Sequence, residues 1–148
     1  RLGSGADLEA IARQVAEDYA GAGRIIPGLG HPAHRVEDPR TPRLFEIAAA
    51  QGMSEEYVGL IQAIQRAAKE RSGCARPINA TGAIGALCCE FGFPAEIVRG
   101  IGVMARAVGL VGHILEERHD PMAFELWQRA ETEILEARRE AGEVPEDD

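Results

Sequence analysis

No stretch of this chain alternates β-branched and polar residues for long enough to make a strand, so a sheet is not expected and the fold class read from the sequence is all-α. Cysteine is scarce and poorly placed for cross-linking. Cys74, Cys88 and Cys89 form an odd set with two members adjacent, which suits neither a disulfide framework nor a paired-cysteine zinc site. Reduced thiols in a cytoplasm are the simplest expectation. Positive charge is in deficit: 16 Lys and Arg face 24 Asp and Glu, a net charge of −8. That excludes a general nucleic-acid or anionic-membrane binder, while leaving room for a local basic pocket. A long apolar run is also missing, because the most apolar stretch, residues 101–115, carries Arg106 and His113 and is shorter than the ~20 residues of a membrane span. No basic-then-apolar leader opens the chain, and no internal repeat or low-complexity tract is visible. A soluble, cytoplasmic protein without nucleic-acid or membrane partners is expected.

What is present is ordinary for a globular domain: 148 residues, 45% apolar and 27% charged. At about 150 residues a chain buries roughly 70% of its unfolded surface, enough for one compact core. The chain opens on Arg1 rather than Met, and a trimmed or cut-out chain is the expectation. Residues 1–6 are expected to fray, residues 7–142 to form the helical domain, and residues 143–148 to form an acidic tail.

Helical periodicity runs nearly throughout. Asp7 can cap a helix whose Leu8, Ile11, Val15 and Tyr19 lie on one stripe, ended by Gly21 and Gly23. Thr41-Pro42 reads as cap and first helical residue of a helix over 42–51. Ser54 would cap the next helix, with Glu55 and Glu56 in its first turn and an apolar face of Tyr57, Ile61, Ile64 and Ala68. A small-residue helix is expected over 80–91, and Pro94 opens another that breaks or bends at Gly100-Ile101-Gly102 before running to about 118. Asp120-Pro121 starts the last, over 122–141, where Arg129, Arg138 and Arg139 alternate with Glu131, Glu133 and Glu136 as a solvated face.

The chemistry concentrates in the loop Ile26-Pro27-Gly28-Leu29-Gly30-His31-Pro32-Ala33-His34-Arg35, followed by Asp38-Pro39-Arg40. Two glycines astride a leucine allow a tight turn and close approach to a ligand. Imidazole can donate to a carbonyl or accept a proton near neutral pH. Guanidinium clamps carboxylate or phosphate through paired donors. A polar Gly/Pro surface turn is the plain alternative. A metal at His31 and His34 is disfavoured, since no nearby Cys or third His completes a ligand set.

The segment Pro27-Gly28-Leu29-Gly30-His31, with Arg35 and Asp38-Pro39-Arg40 at their spacings, resembles the Gly-x-Gly-His loop of the citrate synthase/citryl-CoA lyase family. Two further stretches agree. Pro77-Ile78-Asn79-Ala80-Thr81-Gly82-Ala83 is similar to the family's Pro-x-Asn-Val-Asp helix start, and Ala105-Arg106-Ala107-Val108-Gly109-Leu110-Val111-Gly112-His113 to its Ala-Arg-x-x-Gly-x-x-Ala-His helix. The resemblance covers about residues 25–117, the C-terminal, active-site half of the family. It implies a multi-helix citrate-synthase-like domain, truncated relative to the family, and a homodimer.

The resemblance implies site roles as well. His31 would hydrogen-bond the ketone oxygen of oxaloacetate or the citryl hydroxyl, and Arg40 and Arg106 would hold substrate carboxylates. Arg35 would lie near coenzyme A phosphates, and Gly28, Leu29 and Gly30 would line the adenine site. The implied reaction is condensation of an acyl-CoA with oxaloacetate, or the reverse cleavage of citryl-CoA, with the coenzyme A thioester as substrate and no metal. At the position of the family's catalytic carboxylate stands Thr81, whose hydroxyl cannot deprotonate a carbon acid; its plain role would be to cap the helix beginning at Gly82. For Arg106 the plain role is a snorkelling arginine on a mostly buried helix. None of His31, His34, His113 and His119 precedes glycine, so the family's upstream His-Gly group is not matched. The expectation is a chain that binds these substrates and does not turn them over alone. A catalytically degenerate binding module and a structural dimerisation partner are the alternatives.

Overall fold

A computed structural model describes residues 2, 5–53 and 55–143. Six α-helices make up the described fold: α1 (Leu8–Gly21), α2 (Arg40–Ala50), α3 (Glu56–Ser72), α4 (Ala80–Glu90), α5 (Ala95–His119) and α6 (Ala123–Glu140). Among the described residues the only β-type pairing is an isolated antiparallel bridge, Leu29 to Ile78, so the all-α expectation holds. Two compact units divide the chain, Arg1–Gly102 and Val103–Asp148, with the boundary inside α5.

In the first unit α1 packs on α3, α3 on α4, and α2 on α4. The residues fully buried at the α1–α3 crossing are Ala12, Ala16, Ala63 and Ala67, with Ile26 and Ile64 packed against them. The expected stripes, Leu8-Ile11-Val15-Tyr19 and Tyr57-Ile61-Ile64-Ala68, are only half-buried. Alanines let the two helices close up, and the bulkier residues flank the contact and line grooves beside it.

Helix starts differ from expectation in informative ways. Asp7 caps α1 as expected, accepting from the N–H groups of Glu9 and Ala10, and Gly23 takes a left-handed φ of 63° beyond the helix end. At α2 the acceptor is Asp38 rather than Thr41: its carboxylate takes the Arg40 N–H at 3.1 Å and its carbonyl the Thr41 N–H at 3.0 Å. The helix therefore starts two residues early, and Thr41 is buried with its hydroxyl donating to the Ile78 carbonyl at 2.8 Å. Ser54 lies outside the described residues. The first amides of α3 reach instead to the end of α4, where Glu90 accepts from Tyr57 N at 2.6 Å and Val58 N at 3.3 Å. At α4 the cap is Asn79 and not Thr81, because extended backbone at Asn79 lets its side-chain oxygen accept from Gly82 N at 3.0 Å.

The second unit, with the start of α5, is of another kind. No residue of α5 or α6 is buried. Helix α5 is unbroken through Gly100-Ile101-Gly102, since isolated glycines cost a helix only about 1 kcal/mol each and the apolar periodicity carries across them. It starts at Ala95 and runs 25 residues, so the apolar stretch is longer than residues 101–115. By length and composition α5 is long and apolar enough to cross a membrane. Glu117 near its end accepts from Met122 N and Ala123 N, at 3.2 and 3.1 Å, and so caps α6. The charged face of α6 is solvated as expected at Arg129, Arg138, Glu131, Glu133 and Glu136, with an Arg129–Glu133 pair at 3.2 Å, while Arg139 is half-buried.

Candidate functional site

The loop after α1 is pinned to the segment before α4. Gly30 N donates to the Pro77 carbonyl at 2.7 Å and Asn79 N to the Gly28 carbonyl at 2.9 Å, while the Asn79 side-chain amide donates to the Gly30 carbonyl at 2.7 Å. Gly28 and Gly30 both adopt left-handed φ, 88° and 86°, which side-chain-bearing residues rarely adopt. At Gly28 a second constraint applies: a Cβ there would sit 2.7 Å from Gly82 Cα, and one on Gly82 would sit 2.5 Å from the Gly28 carbonyl oxygen. Only glycine at both positions permits this crossing of loop and helix.

This clamp presents His31 and Arg40. The His31 Nδ1 accepts two backbone N–H groups, from Ala33 and His34, both at 3.1 Å. These two contacts favour the tautomer with the proton on Nε2, which makes Nε2–H a donor. Arg40 Nη2 lies 3.3 Å from that Nε2. In the Nε2–H tautomer both nitrogens are donors, an arrangement that an added carbonyl or carboxylate oxygen would satisfy.

Behind Arg40 stands Asp38, 0% exposed, which in sequence is only one member of the Asp-Pro-Arg motif. Its carboxylate takes Arg40 Nε at 2.9 Å and Nη2 at 2.8 Å, and the Ala80 N–H at 3.0 Å. These bonds, led by the Arg40 side chain and opposed by burial, hold the Asp38 carboxyl far below the usual carboxylate range. Arg40 is correspondingly raised by Asp38, and 54% of its side chain remains exposed. An aspartate two residues before an arginine is a common surface pattern, so only its burial could have marked it as part of a site.

Thr81 is exposed at the second position of α4, one residue beyond the Ala80 amide that Asp38 holds. Arg35 is exposed in the same loop. Arg106 is exposed on α5 in the second unit; with no buried residue on that helix, snorkelling from a buried one does not describe it. No group of three or more His, Cys, Asp or Glu suited to a metal ion occurs among the described residues.

Two cavities flank the loop, and Ile26 and Leu29 line both. One, of about 390 Å³, lies between the ends of α1 and α3, where Arg24, Arg71 and Arg76 surround an apolar floor that includes Tyr19 and Ala68. The members of this arginine cluster come from three separate segments, so no local sequence pattern marks it. The other, of about 300 Å³, is apolar and lies between α3 and α4, with Gly28 and Thr81 among its lining residues. Burial raises the Cys88 thiol, with the adjacent Cys89 adding to the shift.

Residues 2–127 match the family described as citrate synthase, C-terminal domain. Among solved structures, the chain is similar to citryl-CoA lyase from Hydrogenobacter thermophilus, with a TM-score of 0.66 and 29% sequence identity. That match covers 78% of this chain and 44% of the other, so the chain spans less than half the length of this relative. No curated protein sequence matches significantly.

Proposed function

Because the chain belongs to the citrate synthase family, we propose that it forms the substrate-holding part of a citryl-CoA lyase or citrate synthase type of site, binding a keto-dicarboxylate and a coenzyme A thioester. One observation carries this reading: His31 Nε2 and Arg40 Nη2 lie 3.3 Å apart in an exposed contact, close enough for one bound oxygen to reach both. A ketone oxygen of oxaloacetate, or the hydroxyl oxygen of a citryl group, would accept from His31. A neighbouring carboxylate would lie against the open end of the Arg40 guanidinium. Arg106, on the second unit, is proposed as a further carboxylate ligand on the strength of the helix motif alone.

The cavity ringed by Arg24, Arg71 and Arg76 suits the adenosine phosphate end of coenzyme A, with Ile26 and Leu29 against the purine. Arg35, exposed beside the loop, supplies another cation for the phosphates. Coenzyme A enters this reading as substrate, and the residues assigned to it need no metal.

Thr81 supports a narrower second reading, a binding module without turnover. Its hydroxyl is a hydrogen-bond donor and acceptor and cannot remove a proton from a thioester methyl, nor stand in for a carboxylate in the reverse cleavage. Calorimetric titration separates these possibilities. Oxaloacetate or citrate should bind, and His31→Ala should weaken that binding about two- to tenfold, the loss of one neutral hydrogen bond. Coenzyme A binding should weaken in Arg76→Ala. Heat from neither ligand would reject the proposal. A gain of citryl-CoA cleavage in Thr81→Asp would favour the enzymatic form, and no gain the binding module.

A further inference from the structure

We infer that Asp38 is a positioning residue for the anion site, acting through Arg40 to decide which of its donors face a ligand; this rests on the binding role proposed for His31 and Arg40. The Asp38 carboxylate is side-on to the guanidinium, taking Nε–H at 2.9 Å and one Nη2 hydrogen at 2.8 Å. An arginine has five N–H donors. The three left over are the second hydrogen of Nη2, beside His31 Nε2, and the two of Nη1, for which no partner occurs among the described residues. Asp38 therefore takes one edge of the fork and turns the Nη1–Nη2 end outward, next to the imidazole donor.

Local sequence makes this possible. Asp38 also accepts the backbone N–H of Arg40 at 3.1 Å, with Pro39 holding the turn at φ −63° and ψ −15°. The arginine thus leaves its own backbone already folded over the carboxylate. A fourth bond, from Ala80 N at 3.0 Å, extends the constraint to the first turn of α4. All four acceptor positions of a fully buried carboxylate are filled, three of them by one residue, while that residue stays 54% exposed. An ion pair that served stability alone gains little from burying only its acid, since desolvation opposes the Coulomb attraction. A fixed edge and a free end are what recognition of a second carboxylate requires.

The test uses Asp38→Asn, Arg40→Lys and the double variant, with oxaloacetate affinity by calorimetry and helix content by circular dichroism. Asp38→Asn keeps the Oδ1 acceptor but places an amide against Arg40 Nη2 and Ala80 N, and should weaken oxaloacetate about tenfold or more. Arg40→Lys keeps the charge without the fork. If Asp38 acts through Arg40, the double variant binds no more weakly than Arg40→Lys alone. Wild-type affinity in folded Asp38→Asn, or fully additive losses in the double variant, overturns the inference. NMR of the wild-type arginine side chain needs neither ligand nor a folded variant. The Arg40 Nε–H should exchange slowly with water, and fast exchange overturns the inference. Absence of oxaloacetate and citrate binding by the wild type, with a slow Nε–H, would instead reject the binding role and leave the orientation standing.

Discussion

The clamp around His31 and the pair of helices α5 and α6 show two ways for one chain to use apolar and glycine-rich sequence. In the clamp, Gly28 and Gly82 cross so closely that neither tolerates a Cβ, and polar groups between them are paired. In α5, Gly100, Gly102, Gly109 and Gly112 have nothing within 4 Å of where a Cβ would stand. Large apolar residues on α5 and α6, such as Val108, Val111 and Trp127, are 71%, 69% and 60% exposed. The same residue type is a geometric necessity in one region and a spare position in the other. Among the described residues the buried core therefore lies in the first unit.

The sharpest break between the regions comes from glycine substitution. Gly82→Val should destabilise by about 3 kcal/mol, because its Cβ meets backbone rather than a movable side chain. Gly109→Ala, in open space on α5, should stabilise the helix by about 0.5–1 kcal/mol or leave it unchanged. Chemical denaturation of the two variants measures the contrast, and equal losses would erase it.

Asn79→Ala comes next. It removes both the α4 cap and the bond to the Gly30 carbonyl, and should cost about 1–2 kcal/mol by the same measurement.

At acid pH the dependence to expect is that of Asp38, beside the clamp. The folded-state pKa of Asp38 lies below its unfolded value of about 3.9, so its contribution is complete above that value and is lost as pH falls toward the depressed one. The thermal midpoint of the wild type should therefore drop more steeply below about pH 4 than that of Asp38→Asn. Parallel curves would show that the buried carboxylate adds nothing. The smallest effect is expected on the second unit: Val111→Ser should shift stability by no more than about 0.5 kcal/mol, as an exposed position does.

Much of the first unit was legible in the sequence because its signals are local. Asp7 before an apolar stripe, the Gly-Leu-Gly-His run and the small-residue helix after Asn79 all stand where periodicity and turn chemistry place them. What escaped was non-local. Asp38 displaced Thr41 as the acceptor at α2, and Glu90 reached α3 from 33 positions away. The alanines at the α1–α3 crossing carry the closest packing, since a periodicity count weights bulk and a tight crossing selects against it. His31 and Arg40 were readable as candidates from composition and spacing. The tautomer of His31 was not, because it is set by the backbone amides of Ala33 and His34, which carry no sequence signature.

That tautomer is the point on which a two-donor site depends. Long-range 15N–1H correlation of neutral His31 reads it directly. The predicted spectrum shows the proton on Nε2 in the free protein, with the Nε2 resonance moving on addition of oxaloacetate. A proton on Nδ1, or an Nε2 resonance indifferent to the keto-acid, would contradict a site built from His31 and Arg40 donors converging on one oxygen.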